Sequence, residues 1–363
     1  MSEVAELTKQ LVAIPSHEDE TAAGDWIESW LHEHTDATVE RDDAPGGGNV
    51  IARKGKGEGG PSLALVGHHD VVPPDESQVA EDGSSIVEEQ DGRLYGRGSA
   101  DMKGADAALL LAFRDADPDA ELVFASFVGE EQAGVGSRHA IEHGFAPDYA
   151  LVGEGSTNYT GPDRTDVVVA HKGRRGSTVV AGGKAAHASD PESGENAIYR
   201  AFKAVDLLRD LEAPSVEVAD DPVEGSVVVT EIDGGTAMNV VPERCTITVD
   251  ERTVPGERAD VARIEAVDGV DWTVDQDLPP MHCDDEDFVE TVLGAARDAQ
   301  KNDPSATVKP HATDAGWLSQ AGVETVVCGP SEPGEAHTAH ESVSIRVLER
   351  CERIYRGVAS AWG

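Results

Sequence analysis

Apolar residues recur at helical spacing at the start of the chain. Val4, Leu7 and Leu11 make one stripe, and Trp26, Ile27, Trp30 and Leu31 make a second. The spacing predicts two helices, with Ser16 a candidate cap for the second. Beyond them come short apolar runs bounded by turn residues. Residues 49–53 (after the turn Gly46-Gly47-Gly48), 62–66, 122–128 and 149–152 read as strands, 54–60 as a Gly-rich loop and 104–116 as a helix. This alternation predicts an α/β fold with a mostly parallel sheet flanked by helices. Three of the strands end in polar groups: Gly67-His68-His69-Asp70, Gly129-Glu130-Glu131 and Gly153-Glu154. Ligands of open α/β sheets bind beyond the carboxyl ends of the strands, where these groups fall.

From about residue 172 the texture changes. Strands rich in Val and Thr are expected at 167–170, 177–181, 226–232 and 246–252, and helices at 197–211 and 258–267. The pattern predicts an α+β domain over 172–276, inserted between two parts of a first domain, 1–171 and 277–363. After Asp277-Leu278-Pro279-Pro280 the α/β pattern resumes, with helices expected at 288–300, 315–320 and 346–362 and a strand at 325–328. A length of 363 residues accommodates two cores.

Composition limits what fills those cores. Aromatics are only 4% of residues, so Val, Leu, Ile and Ala must do the packing. The charge is strongly unbalanced, with 70 acidic against 29 basic residues and a net charge of −41. The acids are scattered through periodic apolar segments, which argues for a folded chain with an acidic, hydrated surface, as in proteins of salt-loving organisms. High salt would screen its self-repulsion. A phosphate-binding face needs clustered Lys and Arg, and none is present, so nucleic acid is not an expected partner. No apolar run is long enough to cross a membrane, and the first residues do not resemble a signal peptide. Cys245, Cys283, Cys328 and Cys351 form no CxxC pair; they are expected to be reduced and buried, with the cytoplasm as compartment.

The candidate chemistry rests on five residues. His68, just past a strand, is a natural metal ligand, and Asp70 could accept a hydrogen bond from its other ring nitrogen. Asp101, in Gly96-Arg97-Gly98-Ser99-Ala100-Asp101-Met102-Lys103-Gly104, could bridge two cations with its two oxygens, or merely cap a helix. Of Glu130 and Glu131, one can bind a metal while the other stays free as a base; an acidic turn in so acidic a chain is the plainer alternative. Glu154 and His337, the latter in Glu335-Ala336-His337-Thr338, are each compatible with an ordinary surface acid and a loop His. Together the five form a mixed nitrogen and oxygen set suited to Zn²⁺, with Co²⁺ or Mn²⁺ as substitutes. A bridging Asp101 would hold two ions about 3.5–4 Å apart.

The order Gly-His-x-Asp, Gly-Arg-Gly-x-x-Asp-x-Lys-Gly, Glu-Glu, Gly-Glu and a late Ala-His resembles the M20 family of metallopeptidases and deacylases along essentially the whole chain. The resemblance implies that His68 and Glu154 bind one metal, Glu131 and His337 the other, and Asp101 both. It implies that Asp70 orients His68, and that Glu130 is the general base in hydrolysis of an amide by metal-activated water. The inserted segment resembles the family's lid and dimerisation domain, implying a homodimer. There His187, in Gly182-Gly183-Lys184-Ala185-Ala186-His187, would help hold the oxyanion of the partner subunit's site. Arg174, Arg175, Asn239 and Arg252 also match the lid pattern and would grip an acidic substrate, although Arg174 and Arg175 could equally pair with neighbouring acids. The sequence departs from relatives in the unassigned His69 and His340, in Ser331 where Gly is common, and in Glu154 where some have Asp. The implied substrate is an N-acyl amino acid of the acetylornithine or succinyl-diaminopimelate type; the alternative is a short peptide, cut by a carboxypeptidase or dipeptidase.

Overall fold

The computed structural model describes residues 2–55, 60–219 and 221–362, so most of the loop expected at 54–60 lies outside the described residues. The chain divides into two compact units. The first comprises Met1–Ala170, Met281–Lys309 and Thr313–Gly363, and the second His171–Pro280 and Pro310–Ala312.

The first unit opens with helices α1 (Glu3–Val12) and α2 (Thr21–His34). Val4, Leu7 and Leu11 of α1 are buried, and so are Ile27, Trp30 and Leu31 of α2. Ser16 caps neither helix. Its hydroxyl donates to the backbone carbonyl of His69 at 2.6 Å, and Glu20 holds the N-cap position of α2. Strands β1 (Thr38–Arg41), β2 (Val50–Lys54) and β3 (Leu63–His68) follow, then a β4–β5 hairpin (Glu88–Gln90, Arg93–Tyr95) and helix α3 (Lys103–Asp115). Next come β6 (Leu122–Phe127), α4 (Val135–Glu142), β7 (Tyr149–Val152) and β8 (Val167–His171). All six residues of β3 and of β6 are buried, as continuous apolar runs in the middle of a covered sheet should be.

In the second unit, β9 (Gly173–Gly182) and β10 (Ala186–His187) precede helix α5 (Ala197–Arg209), with its N-cap Asn196. They are followed by β11 (Ser215–Val218), β12 (Asp221–Glu224), β13 (Ser226–Gly234), β14 (Val240–Val241), β15 (Arg244–Thr253) and β16 (Val270–Leu278). The main sheet is antiparallel in the order β13-β15-β9-β16. Val179, Ala181, Ile247 and Val249 pack beneath Ala197, Ala201, Ala204 and Leu208 of α5. The helix expected at 258–267 is only a short 3-10 segment, Val261–Ala266. The strand β16 was not foreseen; it alternates mostly polar residues and its burial is slight.

The chain then returns to the first unit with β17 (Met281–His282), α6 (Glu286–Ala299), β18 (Ala306–Lys309), α7 (Asp314–Gln320), β19 (Glu324–Val327), β20 (Ser342–Ser344) and α8 (Ile345–Ser360). Its large sheet runs β1-β2-β6-β3-β7-β19-β8-β17, with β18 on β8. The central strands β6, β3, β7 and β19 are mutually parallel, whereas β1, β2 and β8 join antiparallel. The parallel core needs helical crossovers; α3, the first of these, is apolar almost all round and packs between the sheet, α1 and α8. This order sets four parallel strand ends side by side: those leading to Glu130, His68, Glu154 and, after β19, His337.

Candidate metal centre

His68 is the last residue of β3. The Gly67 before it is required by close approach, because a Cβ there would stand 2.0 Å from Asp106 Oδ1. His68 Nδ1 lies 3.1 Å from Asp70 Oδ1, leaving Nε2 to face Asp101 Oδ1 at 3.2 Å and Glu154 Oε1 at 3.4 Å. Asp70 also ties down the neighbouring strand end, accepting the backbone N–H of Glu130 and of Glu131, each at 3.0 Å. That end turns at Gly129, whose φ of +59° is in the left-handed region that glycine tolerates. The Gly129 N–H donates to the buried Glu20 at 3.0 Å.

The second oxygen of Asp101 points the other way. Oδ2 is 3.2 Å from His337 Nε2, which is also 2.7 Å from Glu131 Oε1. Asp101 therefore offers one oxygen to each imidazole and does not cap α3, whose N-cap position is Met102. His337 sits in the left-handed region at φ 63°, which few residues other than glycine adopt. Two sets of ligand atoms result, each lying within 4.8 Å of one another: His68, Glu130 and Glu154, and Asp101, Glu131 and His337.

Electrostatics agree with the geometry. Burial would lift Asp101, but the rings of His337 and His68 outweigh it and hold the carboxyl well below its ordinary value. Hydrogen bonds to Asp101 and Glu131 push His337 up to about 10. Burial opposes a charge on His68, yet Asp70, Asp101 and Glu154 raise it well above the usual imidazole range. Glu130, half-buried and with no cation bonded to it among the described residues, is pushed well up by burial. The carboxylates that draw protons onto the two rings would equally draw a cation onto deprotonated ring nitrogens. Buried carboxylates at this density need such compensation, so the donor set fits a pair of divalent ions.

Several participants were not foreseen. Lys309, at the end of β18, is buried and donates to Glu154 Oε2 at 2.9 Å. Glu341 pairs with Arg97, both buried, and accepts the backbone N–H of Ala100 at 3.0 Å and of Asp101 at 3.2 Å. His69 is buried and turned toward Ser126 Oγ at 2.9 Å; burial pushes its ring down to about 3, which keeps it neutral. Glu341 follows the late His motif and Arg97 lies within the Gly-Arg-Gly motif, so both stood in view in the sequence, whereas Lys309 carries no signal there.

The remaining expected residues belong to the second unit. His187 pairs with Val240 across β10 and β14; it is exposed, with Nδ1 2.6 Å from Ser189 Oγ. Asn239 is exposed, and its carbonyl accepts from Ala188 N at 2.8 Å. Arg175 is consumed by its own unit: it pairs with the buried Glu251, donates to the Ala259 carbonyl and lies over the Trp272 ring. Arg174 and Arg252 share Asp250 at 2.7 and 2.8 Å, with their side chains 42% and 36% exposed.

Residues 64–361 match the family described as Peptidase family M20/M25/M40. The chain belongs to this family. Acetylornithine deacetylase of Myxococcus xanthus is 31% identical over 341 residues, covering 87% of this chain and 84% of that protein. The Vibrio campbellii acetylornithine deacetylase is 30% identical over 330 residues, covering 84% and 82%. Among solved structures, the aminopeptidase PepT of Bacillus cereus superposes with a TM-score of 0.79 at 20% identity, over 99% of this chain and 97% of that one. A dinuclear metal-binding peptidase of the M20 family from Bacillus subtilis gives 0.71 at 18% identity, over 99% and 96%. The M20 chain is thus a metal-dependent hydrolase of amide bonds, and two metal ions complement its paired ligand groups. No helix among the described residues is long and apolar enough to cross a membrane.

Proposed function

We propose that this enzyme releases a free amino acid and a carboxylate from an N-acyl amino acid of the acetylornithine or succinyl-diaminopimelate type. The observation that carries the reading is Asp101, with one oxygen toward each of two histidines and the half-buried Glu130 alongside. The acetylornithine deacetylases that cover more than four-fifths of the chain support the substrate class. His68, Asp101, Glu131, Glu154 and His337 would hold two divalent ions, Zn²⁺ by the mixed imidazole and carboxylate donors. When bound, such ions supply Lewis acidity toward the scissile carbonyl and toward water.

The chain's own groups do the rest. Asp70 fixes the His68 ring by its hydrogen bond to Nδ1. Glu130 takes the proton of the attacking water and passes it to the leaving nitrogen. The high proton affinity that burial gives it suits both halves of that task. His187 would donate to the oxyanion of a partner subunit's site, and Asn239 and Arg252 would hold the substrate's carboxylate. Two copies would pair through the edge strand β13, which exposes Val228 and Ile232, beside α5, which exposes Tyr199 and Phe202. We place the enzyme in the cytoplasm on its four free, buried cysteines.

A substrate panel tests the reading. N-acetylornithine, N-succinyl-diaminopimelate and dipeptides are assayed with Zn²⁺, Co²⁺ or Mn²⁺ in molar salt. Turnover of the acylated amino acids is expected, and turnover of dipeptides alone would replace this reading with a peptidase.

A further inference from the structure

The two halves of the centre are chemically unequal, and the difference lies in a lysine. Glu154 has both oxygens engaged: Oε1 faces His68 Nε2 at 3.4 Å, and Oε2 accepts from Lys309 Nζ at 2.9 Å. Lys309 is 6% exposed and Glu154 8%, so this is a buried ion pair beneath the ligand set. Glu131, the carboxylate of the other half, meets His337 at 2.7 Å, and among the described residues no lysine or arginine pairs with it.

Resting on the two-metal reading, we propose that Lys309 is a positioning residue for Glu154, restricting it to a single-oxygen ligand and loosening the cation held with His68 and Asp101. Three physical consequences support this. A charge-assisted hydrogen bond at 2.9 Å occupies one lone pair of Oε2 and holds that oxygen toward the lysine, which disfavours its turning onto the ion as a second ligand atom. A fixed positive charge one carboxylate away from a divalent ion repels it, and a dry site screens that repulsion poorly. The pair also fixes the rotamer of Glu154, so that Oε1 stays aimed at His68 Nε2 whether or not a metal is bound. Lys309 therefore trades affinity for a defined ligation by Glu154, and its effect falls most on the seat that Glu154 serves.

The test is metal titration of the full-length protein in molar salt, using Co²⁺ followed by calorimetry and by its visible absorption. Three variants are compared with wild type. Lys309→Met, which keeps the length but removes charge and hydrogen bond, should tighten the weaker of two binding steps about tenfold or more. It should also lower the absorption per bound Co²⁺, as Glu154 closes onto the ion with both oxygens. Lys309→Gln retains a donor without the charge and should also tighten binding; it serves as the second probe if the Met variant fails to fold. Lys309→Arg keeps the charge and should restore wild-type affinity. Unchanged or weakened binding in folded Met or Gln variants overturns the assignment of Lys309. Wild-type protein that takes up no divalent ion refutes the metal centre itself, which is a different failure.

Discussion

Glu341 accepts the backbone N–H of Asp101 at 3.2 Å. The loop that carries the shared carboxylate is thereby fastened to a residue four positions beyond His337, and Arg97 closes the fastening from the other side. Removing the carboxylate in Glu341→Ala would leave Arg97 buried without its partner and two backbone N–H groups unsatisfied. Breaking a buried pair in this way costs about 3–5 kcal/mol. Denaturant unfolding of the variant in molar salt should show a loss of that order, together with reduced metal uptake. A loss under about 1 kcal/mol would show that the pair does not hold the loop.

Glu130→Gln removes the proposed proton carrier while keeping the size of the side chain. General acid–base groups contribute about 10²–10⁴-fold, so turnover should fall at least a hundredfold. Metal content, measured on the same sample, should stay at the wild-type value. Retained activity would move the base to another residue.

Asp106 gives a pH signature of stability. It is fully buried in α3, with Oδ2 3.3 Å from Ser126 Oγ and Oδ1 without a hydrogen-bond partner among the described residues, and burial pushes it from 3.8 up to about 7. A carboxyl raised in the folded state favours folding most below its ordinary value, and that contribution is lost as pH rises through about 7. Metal-free wild type should therefore lose stability between pH 4 and 7 relative to Asp106→Asn, by an amount on the order of 3–4 kcal/mol. Parallel stability curves for the two proteins would place the neutral carboxyl elsewhere.

Salt should act on the whole surface. With a net charge of −41, self-repulsion reaches across the molecule at low ionic strength, where the screening length is about 30 Å at 0.01 M against about 3 Å at 1 M. The melting temperature is expected to climb steeply between those conditions. An unchanged value would remove salt dependence from the description of this protein.

The chemistry was legible where residue type and position coincide. His68, Glu130, Glu131 and Glu154 each follow a buried apolar run, and the parallel order β6-β3-β7 brings those ends together. Asp101 was ambiguous alone, since an acid before a helix is usually a cap; only its distances to two imidazoles separate the alternatives. Lys309 could not be found from the chain, because nothing in Ala306–Lys309 marks a strand that buries its last residue. Periodicity also overreached: residues 258–267 carry apolar residues at helical spacing but form just one short 3-10 segment, Val261–Ala266. Ser16 looked like a cap from its place before α2, yet its hydroxyl serves the backbone beside His68. Arg175 illustrates the opposite limit, since a matching motif does not reveal that Glu251, the Ala259 carbonyl and Trp272 have already claimed the guanidinium.

The contact between His337 and Glu131 joins residues 206 positions apart, and Arg97 and Glu341 are 244 apart. A ribosome therefore finishes the second unit, His171–Pro280 and Pro310–Ala312, before it reaches His337. Until then the nascent chain carries Asp101 and Glu131 without the imidazole that faces both, and long-range pairings of this kind form late. On the proposed two-metal centre, competence for the reaction would be acquired only in the final stretch of translation, and a chain ending before residue 337 would be born without it.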